Sequence, residues 1–217
     1  MQLQKIHAVI FDLDGVIVST DDCHYRAWKM MADSQSIPFD REINERLRGV
    51  SRMESLEIIL ERSNRTYTQN EKEALATQKN EAYKLLIQEL TPSDMLPGAM
   101  KTLEDLRSRG IRIAIGSSSR NTPIILKQIG LSGYFDAVAD GNEIHHSKPD
   151  PEVFLLAAKK LKVPAENCLV VEDADAGVEA ALAGGMRVLG VGSAARNPRA
   201  TFSAASLEVA KLSNLLA

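Results

Sequence analysis

Short apolar runs alternate with helical patterns over most of this chain, and that rhythm limits its fold more than any other feature. Segments 8–11, 111–115, 137–139, 169–171 and 188–191 read as buried strands, each a brief apolar run of strand length. Amphipathic helical stretches lie between them, at about 98–109, 123–129, 151–161 and 177–183. Alternation of this kind predicts an α/β fold: a Rossmann-like parallel sheet with helices on both faces.

Residues 18–92 break the rhythm, showing helical pattern and no convincing strand. Of the thirteen glycines only Gly49 falls here, and of the eight prolines only Pro38 and Pro92, so little interrupts the helices. We read 18–92 as a helical cap domain inserted after the first strand, leaving 1–17 and 93–217 as the Rossmann-like core. Gly49 lies in Arg48-Gly49-Val50-Ser51-Arg52, which reads as a loop between two helices.

Composition removes several function classes. The 217 residues carry a formal charge of −3 with acids and bases interspersed, unlike the one-sided basic face of a nucleic-acid binder. No basic amphipathic helix marks a membrane surface. No apolar run approaches the ~20 residues of a spanning helix, and the apolar start is too short for a signal peptide. Cys23 and Cys168 are far apart and lack a CxxC spacing, so they read as incidental reduced thiols. A cytoplasmic protein, acting as a monomer without nucleic-acid or membrane partners, is expected.

Four strand ends carry the candidate chemistry. The first strand runs into Asp12-Leu13-Asp14-Gly15, two carboxylates two residues apart followed by a residue that permits a sharp turn. Asp-x-Asp alone says little, but open α/β sheets bind ligands at the carboxyl ends of their strands. The second strand leads into Gly116-Ser117-Ser118-Ser119-Arg120-Asn121-Thr122-Pro123. There Thr122 can cap the next helix with Pro123 at its first position, giving a phosphate cradle or an ordinary polar loop. The third leads to Ser147-Lys148-Pro149-Asp150-Pro151, where the following proline holds Lys148 extended and its ammonium offers a point charge for phosphate. The fourth ends in Glu172-Asp173, adjacent acids that repel unless a cation compensates. Hard oxygen donors of this kind suit Mg²⁺. Together the four ends offer what phosphate-ester chemistry demands: a nucleophile, a proton shuttle, a metal and fixed positive charge.

These motifs, Asp12-x-Asp14, Ser117, Lys148 and Glu172-Asp173, resemble the haloacid dehalogenase superfamily of phosphotransferases. Further segments, His24-Tyr25-Arg26-Ala27-Trp28, Arg48-Gly49-Val50-Ser51-Arg52 and Lys79-Asn80 among them, are similar to its β-phosphoglucomutase group in order and spacing. The resemblance implies interconversion of β-D-glucose 1-phosphate and glucose 6-phosphate, with glucose 1,6-bisphosphate as activating intermediate and one Mg²⁺ per site. It makes Asp12 the nucleophile and Asp14 the general acid and base. Metal ligands would be the side chains of Asp12, Glu172 and Asp173 with the Asp14 backbone carbonyl. Ser117, Lys148 and the neighbouring Ser118, Ser119 and Asn121 would hold the reacting phosphate. Arg52, with Gly49, Val50 and Ser51, would clamp the second phosphate, Lys79 would meet the sugar, and Thr20 and His24 would position Asp14.

Three departures from the group's pattern stand out: Ser19 where an acid is frequent, Ser118 where alanine is common, and Ala174-Asp175 for a frequent Ser-Gln pair. None removes a catalytic group. Trp28 reads first as core packing, with a place at the edge of the sugar pocket also open. Adjacent His145 and His146 read as a solvated loop, since neighbouring histidines rarely converge on one ion. A sugar-phosphate phosphatase is the alternative reading, and the Ala- and Ser-rich stretch 193–205 has no reading.

Overall fold

The computed structural model describes residues 5–47, 50–210 and 212. The chain forms two compact units, Met1–Ser19 with Thr91–Ala217, and Thr20–Leu90. Strand β1 (Ala8–Phe11) opens the first unit. The second is helical, with α1 (Asp21–Ser34), α2 (Arg41–Glu45), α3 (Arg52–Leu60) and α4 (Gln69–Leu86). The first unit then resumes with α5 (Ala99–Ser108), β2 (Arg112–Gly116), α6 (Thr122–Gln128), β3 (Ala137–Ala139) and α7 (Glu152–Leu161). It ends with β4 (Cys168–Glu172), α8 (Asp175–Ala183), β5 (Arg187–Gly190) and β6 (Phe202–Ser203).

The six strands among the described residues all pair in parallel, in the order β3-β2-β1-β4-β5-β6. Central β1 and β4 are buried along their whole length, as parallel strands covered on both faces must be. Ile10, Val170, Val153, Phe154, Ala157 and Val178 join the strands to α7 and α8 in one core. The chain steps outward from β1 to β3, then returns to the far side of β1 as β4, which opens a ligand crevice at the carboxyl ends of that central pair. Register fixes what meets there. Phe11 aligns with Ile115 and with Val171, so Asp12, Gly116 and Glu172 leave the sheet side by side.

Where the chain leaves this unit and re-enters it, Val18 bridges Met95 and the Leu96 N–H donates to the Ile17 carbonyl at 2.9 Å. The helical unit builds its own core from Trp28, Met31, Ile43, Leu56, Ile59 and Leu75. Helices α2, α3 and α4 start on side-chain caps. Asp40 accepts from the Ile43 N–H, and Ser51 and Thr68 form reciprocal capping boxes with Glu54 and Glu71. Arg48 and Gly49, in the loop expected before α3, lie outside the described residues. No helix among the described residues is long and apolar enough to cross a membrane.

Three details differ from the sequence reading. Helix α6 begins at Thr122 with Asn121 in the cap position, so Thr122 is not the cap. Its hydroxyl is buried and donates to the Ser119 carbonyl at 2.9 Å, satisfying a polar atom that could not stay idle inside. Helix α8 starts at Asp175, two residues early, because an acid suits the positive end of a helix. The stretch 193–205, whose sequence shows no periodic pattern, holds most of a short 3-10 turn (Gly192–Arg196) and β6.

Candidate active site

Three carboxylates and one ammonium converge at the crevice. Asp12, just past β1, and Glu172, the last residue of β4, are both buried, and Asp173 follows half-buried. The Lys148 ammonium lies between the first two, donating to Asp12 Oδ1 and, at 2.8 Å, to Glu172 Oε2. The other Glu172 oxygen accepts the backbone N–H groups of Asp173 and Ala174, each at 3.1 Å. Glu172 is thus held by three donors, and one charge fixes the facing ends of β1 and β4.

The balance of charge is unequal. Burial raises the Asp12 carboxyl well above the ordinary carboxylate range; Lys148 opposes that shift, while Glu172 and Asp14 add to it. Asp173 is raised too, by burial first and then by Asp12, Glu172 and Asp14. Burial alone would lower the Lys148 ammonium, but Asp12 and Glu172 outweigh it and hold it above its usual value.

Two glycines shape the cradle. Gly15 has φ +83°, in the left-handed region, and a Cβ there would meet Asp173 Oδ2 at 2.1 Å. On α8, a Cβ at Gly177 would meet Glu172 Oε2 at 2.0 Å. The 193–205 stretch braces the same loop from outside. Ser193 Oγ donates to the Asp173 carbonyl at 2.5 Å and the Ala194 N–H does so at 3.0 Å.

The loop after β2 folds onto itself. Ser117 Oγ accepts the Ser119 N–H and Ser119 Oγ accepts the Asn121 N–H, each at 3.2 Å. A hydroxyl that accepts keeps a proton of its own to donate, so this loop offers donors to an anion. Ser118 Oγ accepts the Lys148 N–H at 3.5 Å, tying the second strand end to the third. A cis peptide bond joins Lys148 to Pro149.

The helical unit gathers a separate set. Lys79 is buried, its ammonium 2.8 Å from His24 Nδ1, 4.6 Å from the Tyr83 ring centroid and 4.9 Å from that of Trp28. His24 stacks on Tyr83, and burial, then Lys79 and Arg52, lowers its pKa so that the ring stays neutral. The Tyr83 hydroxyl donates to Thr20 Oγ1 at 3.0 Å. Tyr83, which the sequence reading missed, therefore touches three of the residues it named; an apolar stripe on α4 gave no sign of this. Ser51 Oγ accepts the Glu54 N–H and the Ser51 N–H donates to Glu54 Oε2 in the capping box, while Val50 and Arg52, the first residue of α3, are exposed.

Two groups of described residues could hold a metal ion: Asp12, Glu172 and Asp173, and His146, Asp150 and Glu152, with ligand atoms within 4.8 Å of one another in each. The second is a poor cation site. Glu152 already accepts the backbone N–H groups of His145 and His146 at the start of α7, where the helix dipole repels positive charge. The first fits. Its oxygen donors are hard, the two glycines leave them room, and three carboxylates against one ammonium leave a formal −2 that a divalent ion balances.

The fit depends on space at Gly177. Alanine is the better helix former by roughly 1 kcal/mol, yet its methyl would displace the Glu172 carboxylate. Gly177→Ala should stay folded and bind Mg²⁺ about tenfold more weakly by calorimetry, as loss of a ligand's support does. Unchanged affinity would contradict the cradle.

A family model described as "Hydrolase: haloacid dehalogenase-like hydrolase" matches residues 6–185. Among relatives, a β-phosphoglucomutase of Bacillus subtilis is 47% identical over 187 residues, 85% of this chain and 83% of that protein. A phosphorylated carbohydrates phosphatase of Thermotoga maritima is 30% identical over 215 residues, 97% of each. The crystal structure of β-phosphoglucomutase from Clostridium difficile superposes with a TM-score of 0.87 at 41% identity, covering 97% of this chain and 95% of that one. Residues at the ends of β1, β2 and β4, with Lys148 between them, thus sit on a scaffold that resembles a β-phosphoglucomutase and a phosphorylated carbohydrates phosphatase, and the chain belongs to the haloacid dehalogenase-like hydrolase family.

Proposed function

We propose that this protein is a β-phosphoglucomutase, interconverting β-D-glucose 1-phosphate and glucose 6-phosphate. The observation that carries the chemistry is the Lys148 ammonium seated between Asp12 and Glu172 beside Asp173. The choice of mutase is supported by the 47% identity to the Bacillus subtilis β-phosphoglucomutase.

In this reading the side chains of Asp12, Glu172 and Asp173, with the Asp14 carbonyl, would hold one Mg²⁺, which would supply charge neutralisation for phosphoryl transfer. An Asp12 carboxylate oxygen attacks phosphorus, forming an aspartyl phosphate as the bond from phosphorus to the sugar oxygen breaks. Asp14 gives its proton to that leaving oxygen and later takes one from the accepting hydroxyl. Lys148 and the hydroxyls of Ser117, Ser118 and Ser119, with Asn121, grip the transferring group. Glucose 1,6-bisphosphate is the intermediate that must re-bind with its phosphates exchanged. Arg52, with Gly49, Val50 and Ser51, takes the non-reacting phosphate, a task suited to a guanidinium. Thr20 and His24 position Asp14, Lys79 meets the sugar, and Trp28 edges the sugar pocket. We take the protein to work in the cytoplasm, where the buried free thiols of Cys23 and Cys168 stay reduced. We take it to work as a monomer.

The phosphatase reading has a specific observation behind it, the Thermotoga maritima relative that spans nearly the whole chain. Product partition separates the two. Given β-glucose 1-phosphate, Mg²⁺ and a trace of glucose 1,6-bisphosphate, the protein should form glucose 6-phosphate in large excess over free phosphate. Free phosphate as the main product would select the hydrolase. Arg52→Ala should lower mutase kcat/KM by about 100-fold, as loss of a charge-assisted clamp does. Hydrolysis of a small phosphate ester should change far less, and equal losses would remove Arg52 from the clamp.

A further inference from the structure

Lys148 has a partner besides its two carboxylates. Its Nζ lies 4.6 Å from the centroid of the Phe154 ring, and that ring is fully buried. Phe154 is the third residue of α7, and the start of that helix places it back over the loop carrying Lys148. The ring also presses on β2, where a Cβ at Gly116 would meet its Cδ1 at 2.7 Å and its Cε1 at 2.9 Å. Glycine at that strand end is what admits the ring.

The chemistry of the three partners differs. An ammonium has three donors, and Asp12 and Glu172 take two of them. Both acids are also proposed metal ligands, so an ion draws on the same oxygen lone pairs. The ring offers its negative face, for which a metal ion in that cradle does not compete. A desolvated cation over an aromatic face gains up to about 2 kcal/mol or more, enough to bias where a flexible four-carbon stem places its charge.

We propose that Phe154 is a positioning residue: its ring face holds the Lys148 ammonium at the phosphoryl pocket when the carboxylates are engaged elsewhere. This rests on the phosphoryl-transfer reading of the site. Core packing alone would need an apolar side chain of this volume but not the charge distribution of its ring.

Fluorination separates the two roles, because it drains the ring's negative face with little change in shape. Phe154 is replaced in turn by 4-fluoro-, 3,5-difluoro- and 3,4,5-trifluorophenylalanine in the full chain. Affinity of the Mg²⁺-loaded protein for inorganic phosphate is then measured by calorimetry, beside kcat/KM for glucose 6-phosphate formation. Both should fall stepwise, by about fivefold in all. In a Lys148→Met background phosphate binds more weakly and the steps disappear. A flat series overturns the proposal, and so does a slope that survives Lys148→Met. If the trifluoro protein does not fold, the mono- and difluoro steps decide by the same criterion. Failure of the mutase reading looks different: no glucose 6-phosphate forms, while the phosphate arm still shows its slope.

Discussion

The organisation of this protein depends on one electrostatic problem, the burial of Asp12 and Glu172 side by side at the ends of adjacent strands. At an effective dielectric near 20, two like charges ~4 Å apart repel by about 4 kcal/mol. Parallel register makes the encounter unavoidable, since Phe11 and Val171 are paired and the next residue of each strand is an acid. Burial first, and then the neighbouring acids, raise Asp12 and Asp173, and Lys148 opposes both shifts only in part. The cluster keeps net negative charge, which a divalent ion held by Asp12, Glu172 and Asp173 would offset.

The surrounding structure serves that cluster. Backbone N–H groups of Asp173 and Ala174 hold Glu172, and the tail after β5 holds the Asp173 carbonyl through Ser193 and Ala194. Missing side chains matter as much as present ones. Gly15 and Gly177 keep clear the volume of the carboxylates, and Gly116 keeps clear that of the Phe154 ring. The helical unit solves a comparable problem differently: Lys79 is buried beside a neutral histidine and two aromatic faces.

The parallel sheet and the acids at its strand ends were legible because both leave local marks. Apolar runs such as that of β1 show burial on two faces, and an acid directly after one has to sit at a carboxyl edge. What stayed hidden depends on residues distant in sequence. Nothing in the α7 pattern separates Phe154 from its core neighbours until Gly116 and Lys148 are seen beside it. Tyr83 was hidden for the same reason, its hydroxyl reaching Thr20 across 63 positions. Strand β6 is two residues long amid alanine and serine, too short for any period to register. Thr122 misled because cap preference is local, whereas its hydroxyl answers to burial.

The convergence of Asp12, Glu172 and Asp173 on one ion is tested most directly by anomalous diffraction from crystals grown with Mn²⁺ in place of Mg²⁺. The account predicts one strong peak at roughly 2.0–2.3 Å from a carboxylate oxygen of each of these three residues. A peak beside His146, Asp150 and Glu152 with none at the strand ends would contradict it.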